Sequence, residues 1–462
     1  MEQTVTLPTN PKFSRFDAIV VATMLVLLLG TLLLVWRGDA VGLQLVSTSP
    51  AGGAQGVSTR ADIRLTFDQP LTAAEAAAPL LFNPPLTGQS RTEGATLIFS
   101  PDVPLAANTT YTVELAGGVQ GQRGRALTEP VAWQFTTRRP ELLFVGPDAG
   151  GVDQLFRLNP DGGQPVQLTR EPVGVFDYQL APDGSQLVYS AVRDDGGSDL
   201  FLLSPEGGER TLLLDCGGSV CNGPAWTPDS RRLVYERRTM LVPGAAPGPP
   251  RLWWLNLGGD TTPLFDDTQA LGYGASWAPG GEWLSFVAPS SQGVQVYNVD
   301  DGRSIIVPSR MGGAAAWGPR DDAFLVPDVQ ATETGFAVHL LKASPEGGDL
   351  VNLSGTGEPV EDSSPAWSPD GEWVAFTRKV AGAAMGKQVW LMRPDGSQAR
   401  YLTNDTNLHH GLPRWSPDGQ WLVFQRFPLK EIDGANSLWL LNVESGETRP
   451  LVENGNRPTW LP

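Results

Sequence analysis

Residues 367–376 read WSPDGEWVAF and residues 415–424 read WSPDGQWLVF, the two clearest copies of one pattern. Pro presets φ near about −65°, Asp hydrogen-bonds the backbone that follows it, and Gly accepts positive φ, so Ser-Pro-Asp-Gly is turn chemistry between two strands. Each copy is followed by a variable loop and then a second strand pair, QVWLMRPDGSQARYLT at 388–403 and SLWLLNVESGETRPLV at 437–452. Degenerate copies begin at LAPDGSQLVY (180–189), WTPDSRRLVY (226–235), WAPGGEWLSF (277–286) and WGPRDDAFLV (317–326). Self-similarity at this period marks a repeat architecture, and four short strands per unit mark a β-propeller blade.

Trp226, Trp277, Trp317, Trp367 and Trp415 recur every 40 to 51 residues, the spacing expected if blades pack large apolar groups face to face. Asp183, Asp229, Asp370 and Asp418 are read as turn residues. Inner strands are counted at 180, 226, 277, 317, 367 and 415, with a last one at Trp460 in RPTWLP. At the other end ELLFV (141–145), QLFRL (154–158) and PVQLT (165–169) supply three outer strands without an inner one. Joining the two ends gives a composite blade that closes the ring and removes exposed edges, hence seven blades over 141–462, with six or eight as alternatives. These motifs resemble the TolB-like propeller repeat and, more broadly, WD-repeat-like propellers. The resemblance implies a platform for binding proteins in the periplasm. Similar propellers also cap the catalytic domain of prolyl oligopeptidases, a group this chain departs from by ending at the propeller.

Upstream, Ile63, Leu65 and Phe67, then Leu97 and Phe99, then Tyr111, Val113 and Leu115, then Val131, Trp133 and Phe135 alternate with polar residues. That is the period of strands with one buried face, and residues 43–138 are expected to form a two-sheet sandwich. The opening Ser-Pro, the Phe-Asp-Gln-Pro-Leu strand end, the Tyr-Thr-Val strand and the closing Phe-Thr-Thr resemble the bacterial Ig-like domain of surface-layer proteins. The resemblance implies a spacer or adhesion module.

Ala18 to Trp36 runs AIVVATMLVLLLGTLLLVW without a charge, long enough as a helix to cross a hydrocarbon core of about 30 Å. It is read as an uncleaved transmembrane anchor, because a signal peptide has a shorter apolar run and a small-residue cleavage site. Lys12 and Arg15 precede it, and Arg37 follows beside Asp39. The positive-inside bias then leaves residues 1–17 as a cytoplasmic tail and places the later domains outside the cytoplasm.

A formal charge of −17 argues against nucleic acid as a partner. The two cysteines, Cys216 and Cys221, lack zinc-ligand spacing and form either a small loop disulfide or two free thiols. No metal and no cofactor are expected. No Gly-x-Ser-x-Gly or His-Glu-x-x-His motif occurs, and the chain has three histidines, so no catalytic residue is assigned and no enzyme is expected. GAAMGKQ (382–388) has three residues between its glycines where a phosphate loop has four, and it is read as a plain loop. Binding residues concentrate on loops of rigid scaffolds. The candidate binding rim is therefore the loop face opposite the Pro-Asp-Gly turns, with Asp266, Asp267, Glu361, Asp362, Asp405, His409 and His410, flanked by Asp194 and Asp195. The expected function is a membrane-anchored protein-binding or scaffolding module with an unidentified protein or cell-envelope partner. The alternative is a hydrolase or lyase using the acidic rim on an extracellular polymer, favoured if paired buried carboxylates occupy the funnel.

Overall fold

The computed structural model describes residues 14–38, 42–72, 80–117, 119–122, 124, 126–333, 335–380, 386–405, 407–429 and 435–462. Most of the expected cytoplasmic tail, residues 1–13, lies outside the described residues. One α-helix, Arg15–Gly38, opens the described chain, and its stretch Arg15–Leu32 has a mean hydropathy of 1.9. Its start is capped reciprocally. The Ser14 N–H donates to Asp17 Oδ2 at 2.9 Å, and the Asp17 N–H donates to Ser14 Oγ at 3.2 Å.

The rest is almost entirely strand and turn, in two compact units. The first holds most of a sandwich with one sheet of four strands, Leu45–Ser49, Ile63–Phe67, Thr96–Pro101 and Gly88–Glu93, and one of three, Leu80–Asn83, Thr110–Leu115 and Val131–Thr136. Ile63, Leu65 and Phe67 are buried at every second position, as their alternation requires. The sheets meet through pairs such as Phe82 and Phe99, whose rings lie 4.5 Å apart. Val131 and Trp133 are only half-buried, and the Trp133 indole donates to Pro50 O at 3.1 Å.

The second unit carries every strand from Glu141 on. Among the described residues these strands fall into seven antiparallel groups of four, and in two places a single parallel bridge joins neighbouring groups into an eight-stranded sheet. Their inner strands are Val175–Leu180, Ser219–Trp226, Tyr273–Trp277, Ala316–Trp317, Val360–Trp367, Leu408–Trp415 and Asn456–Leu461. These neighbour one another in cyclic order, and Asn456–Leu461 touches both Leu408–Trp415 and Val175–Leu180. That last strand pairs with Glu141–Pro147, placing Trp460 opposite Leu142 and Thr459 opposite Leu143. One group is thus built from both ends of the unit, and its inner edge is paired.

The turns close through side chains. Ser368 Oγ donates to Asp370 Oδ1, the same oxygen accepts the Glu372 N–H at 2.9 Å, and the Trp373 N–H donates to Ser368 Oγ at 2.9 Å. Gly371 and Gly419 sit at φ 75° and 71°, where a side chain is strained.

The tryptophans pack between groups, and they also bond. Each indole N–H donates to the backbone carbonyl of the residue just before the matching position in the preceding inner strand. Trp277 donates to Ala225 at 3.2 Å, Trp317 to Ser276 at 3.1 Å, Trp367 to Ala316 at 3.0 Å, Trp415 to Ala366 at 2.9 Å and Trp460 to Arg414 at 3.0 Å. Trp226 does the same to Gln179 at 3.2 Å. Leu180 stands where the seventh Trp would be and has no donor. At that junction Tyr178 lies with its hydroxyl 2.8 Å from both Leu143 O and Arg457 O.

Candidate functional site

Antiparallel connectivity sorts the loops onto two faces of the ring. The Pro-Asp-Gly turns join first to second strands at one end. Connections from second to third strand, and from one group to the next, emerge at the other end. Every residue expected on the rim lies at this second end, but the residues play different parts.

Asp266 and Asp267 are exposed on the connection before Tyr273–Trp277, and Asp267 Oδ1 caps the Gln269 N–H at 2.8 Å. Asp194 is exposed, while Asp195 pairs with Arg193 at 3.1 Å within the connection 193–197. Asp405 lies on a connection near Arg426, 3.7 Å away, and its backbone is clamped by the Gln388 amide.

The other four were expected on loops and instead belong to inner strands. Glu361 and Asp362 open Val360–Trp367, and His409 and His410 open Leu408–Trp415. Each of these strands carries a bulge, with Ser364 at φ 52° and Leu412 at φ 48°. The extra residue changes which side chains turn inward. Glu361 stays exposed and meets Lys379 at 3.1 Å. Asp362 is fully buried, accepting from Arg378 Nε at 2.7 Å, Arg378 Nη2 at 2.6 Å and Ser354 Oγ at 2.5 Å. His410 is buried beside Thr403 Oγ1 at 2.8 Å, and burial, with Arg426 adding to it, depresses its pKa to about 4. His409 stacks on Phe427, ring centres 4.6 Å apart, and burial lowers its pKa too.

Residues 382–385 of the GAAMGKQ stretch lie outside the described residues. Lys387 donates to Ser363 Oγ at 2.7 Å, and Gln388 bridges Asp405 and Leu408 carbonyls. The sulfurs of Cys216 and Cys221 are bonded, 2.03 Å apart, with Cys221 inside the inner strand Ser219–Trp226. Among the described residues, no three His, Cys, Asp or Glu side chains converge as metal ligands would.

Several residues near the ring axis escape the sequence reading. Asp177, on the first inner strand, is buried, and its Oδ2 accepts the Gly223 N–H at 2.7 Å. Burial pushes its pKa up to about 6, the Gly223 N–H and Arg457 opposing and Glu236 adding to the rise. Glu236 repeats the arrangement one group on, its Oε1 accepting the Gly274 N–H at 2.9 Å while Oε2 meets Arg238 at 3.2 Å. Nothing in the local sequence VFDYQL distinguishes Asp177 from a solvated strand residue. A cleft of about 370 Å³ opens on the same face beside Asp148, Gln154, Arg170 and Glu171. Its buried Gln154 is already bonded to Glu171 O and Thr169 Oγ1, at 2.7 and 2.8 Å.

Apolar side chains project from this face beside the exposed carboxylates. Leu241 is 95% exposed and Val242 61% in the connection 240–250, and Phe336 is 80% exposed at the tip of the hairpin 324–343. Both are second-to-third-strand connections and therefore share the rim face.

This architecture is that of an all-β protein with an Ig-like sandwich and a β-propeller. Residues 39–137 match the family described as bacterial Ig-like domain. Among solved structures, TolB from Acinetobacter baumannii is similar over 85% of this chain and 86% of its own, with 14% identity and a TM-score of 0.43. A puromycin-hydrolyzing peptidase of Mycobacterium tuberculosis is similar over 87% of this chain, with 15% identity and a TM-score of 0.51. This chain covers 57% of that peptidase's length. At 15% identity the likeness to the peptidase is one of fold alone.

Proposed function

We propose that the chain is a membrane-anchored binding platform: residues 18–36 cross the membrane, the N-terminus is cytoplasmic, the Ig-like domain is a spacer, and the propeller offers its loop face to a protein partner in the cell envelope. The observation that carries this reading is the exposure of Leu241, Val242 and Phe336 on that face. Apolar side chains held out on loops of a rigid scaffold suit protein contact. The buried members of the rim, Asp362 and His410, serve the fold, which leaves Asp266, Asp267, Glu361 and Asp405 as polar surroundings. An acidic surface of this size also disfavours nucleic acid.

Photo-crosslinkers placed at Leu241 and Phe336, with controls at Glu372 and Gln420 beside the opposite turns, test the assignment in native membranes. Adducts from the first pair alone support it. Equal yields from both faces, or adducts only at the turns, contradict it.

The second reading, a hydrolase or lyase, has one observation in its favour, the buried Asp177 close to Glu236. Each already holds a backbone N–H of the next inner strand, which favours a structural role. Loss of polymer cleavage in Asp177→Asn with an unchanged melting curve would support chemistry instead.

A further inference from the structure

Three connections on the loop face are bonded into one knob that carries Leu241 and Val242 at its tip. The connection 240–250 leaves its strand at the buried Met240, whose N–H donates to Gly218 O at 3.0 Å. Its Gly244 N–H donates to Asp195 O at 2.9 Å in the connection 193–197, and Arg193 in turn donates to Gly217 O. The Cys216–Cys221 disulfide ties the third connection, 215–218, at its base. Within the knob the Ala245 N–H donates to Val242 O at 3.1 Å and the Gly248 N–H to Thr239 O at 3.0 Å. Pro243, Pro247, Pro249 and Pro250 fix φ at their own positions. The backbone is thus held, and it holds Leu241 and Val242 out of the core, where their apolar surface contributes nothing to the fold.

The knob is bordered by acid. Asp194 and Asp215 are exposed on its own connections. Asp266 and Asp267 are exposed on the next, which is joined to the foot of the knob where the Gly272 N–H donates to Pro250 O at 3.1 Å. Across 193–197, 215–218, 240–250 and 265–272 the single Lys or Arg is Arg193. Its charge is met by Asp195 at 3.1 Å and by Asp199. At the strand ends beneath, Arg238 pairs with Glu236 at 3.2 Å, Arg251 turns to Asp267 O at 3.2 Å, and Arg237 lies 5.3 Å from the centre of the Trp253 ring.

These charges select the occupant. A second copy would bring the same carboxylates and the same net charge of −17, so like charges oppose self-docking. Anionic lipid headgroups are repelled for the same reason. A protein segment with an apolar side chain between Lys or Arg residues meets both features, covering Leu241 and Val242 while its cations face the four carboxylates.

We propose that the knob at Leu241 and Val242 docks a partner segment in which an apolar anchor is flanked by Lys or Arg. The proposal rests on the reading of the loop face as a protein-docking surface and adds the chemistry of the partner.

Fluorescence anisotropy tests it, with the full chain in phosphatidylcholine nanodiscs and empty nanodiscs as background. The probes are short synthetic peptides of equal length, one of Leu and Lys, one of Leu and Glu, and one of Ser and Lys. The Leu–Lys peptide is expected to bind, and the other two at least about tenfold more weakly. Leu241→Ser with Val242→Ser should weaken the Leu–Lys peptide about tenfold or more, and Gln420→Ser on the opposite face should bind as the parent does. Asp194→Asn with Asp215→Asn should weaken it about fivefold and flatten its dependence on salt. If the first double variant does not fold, the aspartate pair and the Leu–Glu comparison decide. Tighter binding of the Leu–Glu peptide, lost in Leu241→Ser with Val242→Ser, would overturn the basic chemistry and leave the docking surface standing. Equal binding by the parent and both double variants, or no binding at about 1 mM, would overturn the knob as the site. The crosslinking yields at Leu241 then decide separately whether that face meets protein at all. A dimer that Leu241→Ser dissolves would assign the knob to a second copy, and vesicle binding that it abolishes to a lipid surface; either overturns the proposal.

Discussion

Asp362→Ala separates a residue that builds the ring from one that serves its surface. The Asp362 carboxylate is fully buried and takes three short bonds, two from the Arg378 fork and one from Ser354. Arg378 is itself buried, its guanidinium carbon 5.1 Å from the centre of the Phe376 ring and 5.0 Å from that of Trp390. Removing the carboxylate leaves this guanidinium without a partner, a loss of about 3–5 kcal/mol for a buried pair. Urea unfolding of the full chain should show the midpoint fall with m unchanged. Arg378→Met in the same background should recover part of the loss by removing the orphaned charge. A loss below about 1 kcal/mol, the worth of an exposed pair, would refute the reasoning and return Asp362 to the rim.

Trp415→Phe removes the indole donor from Ala366 O and should cost about 1–3 kcal/mol; a midpoint within about 0.5 kcal/mol of the parent would mean the Trp bonds do not join the groups. Two buried groups should give opposing pH slopes. His410, with a pKa of about 4 folded, adds stability that is complete above its unfolded value of 6.5 and lost as pH falls towards 4. Asp177, at about 6 folded, adds stability that is complete below its unfolded value of 3.8 and lost as pH rises through 6. Each is worth about 3 kcal/mol at most. Asp177→Asn should therefore unmask a loss of stability on acidification between about pH 6 and 4, and His410→Gln a loss on alkalinisation. Urea midpoints across that range check both, and slopes of one sign in the two variants would refute the pairing. Deleting 454–462 strips the group at Glu141–Pro147 of its inner strand and opens an edge, so the melting midpoint and solubility should both fall. An unchanged midpoint would mark those residues as a dispensable tail.

The repeat was legible because turn chemistry is local: Ser-Pro-Asp-Gly closes on itself through Ser368 and Asp370, five residues or fewer from every partner. The tryptophan positions were legible for the same reason, but their bonds were not, since each acceptor lies 41 to 52 residues away on another inner strand. The rim was the hardest part to read. Trp367 pairs with Val374, and counting back without a bulge puts Asp362 opposite Lys379, whereas the bulge around Ser364 sets it against Arg378. One extra residue thus turned an expected surface charge into a buried pair.

Placement of the propeller outside the cytoplasm is the claim on which the proposed function depends. A membrane-impermeant maleimide applied to right-side-out vesicles measures it directly, given that the native cysteines are bonded to each other. Leu241→Cys, at a site 95% exposed, should label before lysis, and Thr6→Cys in the tail only after it. Labelling of Thr6→Cys in intact vesicles, with Leu241→Cys protected until lysis, would contradict the orientation.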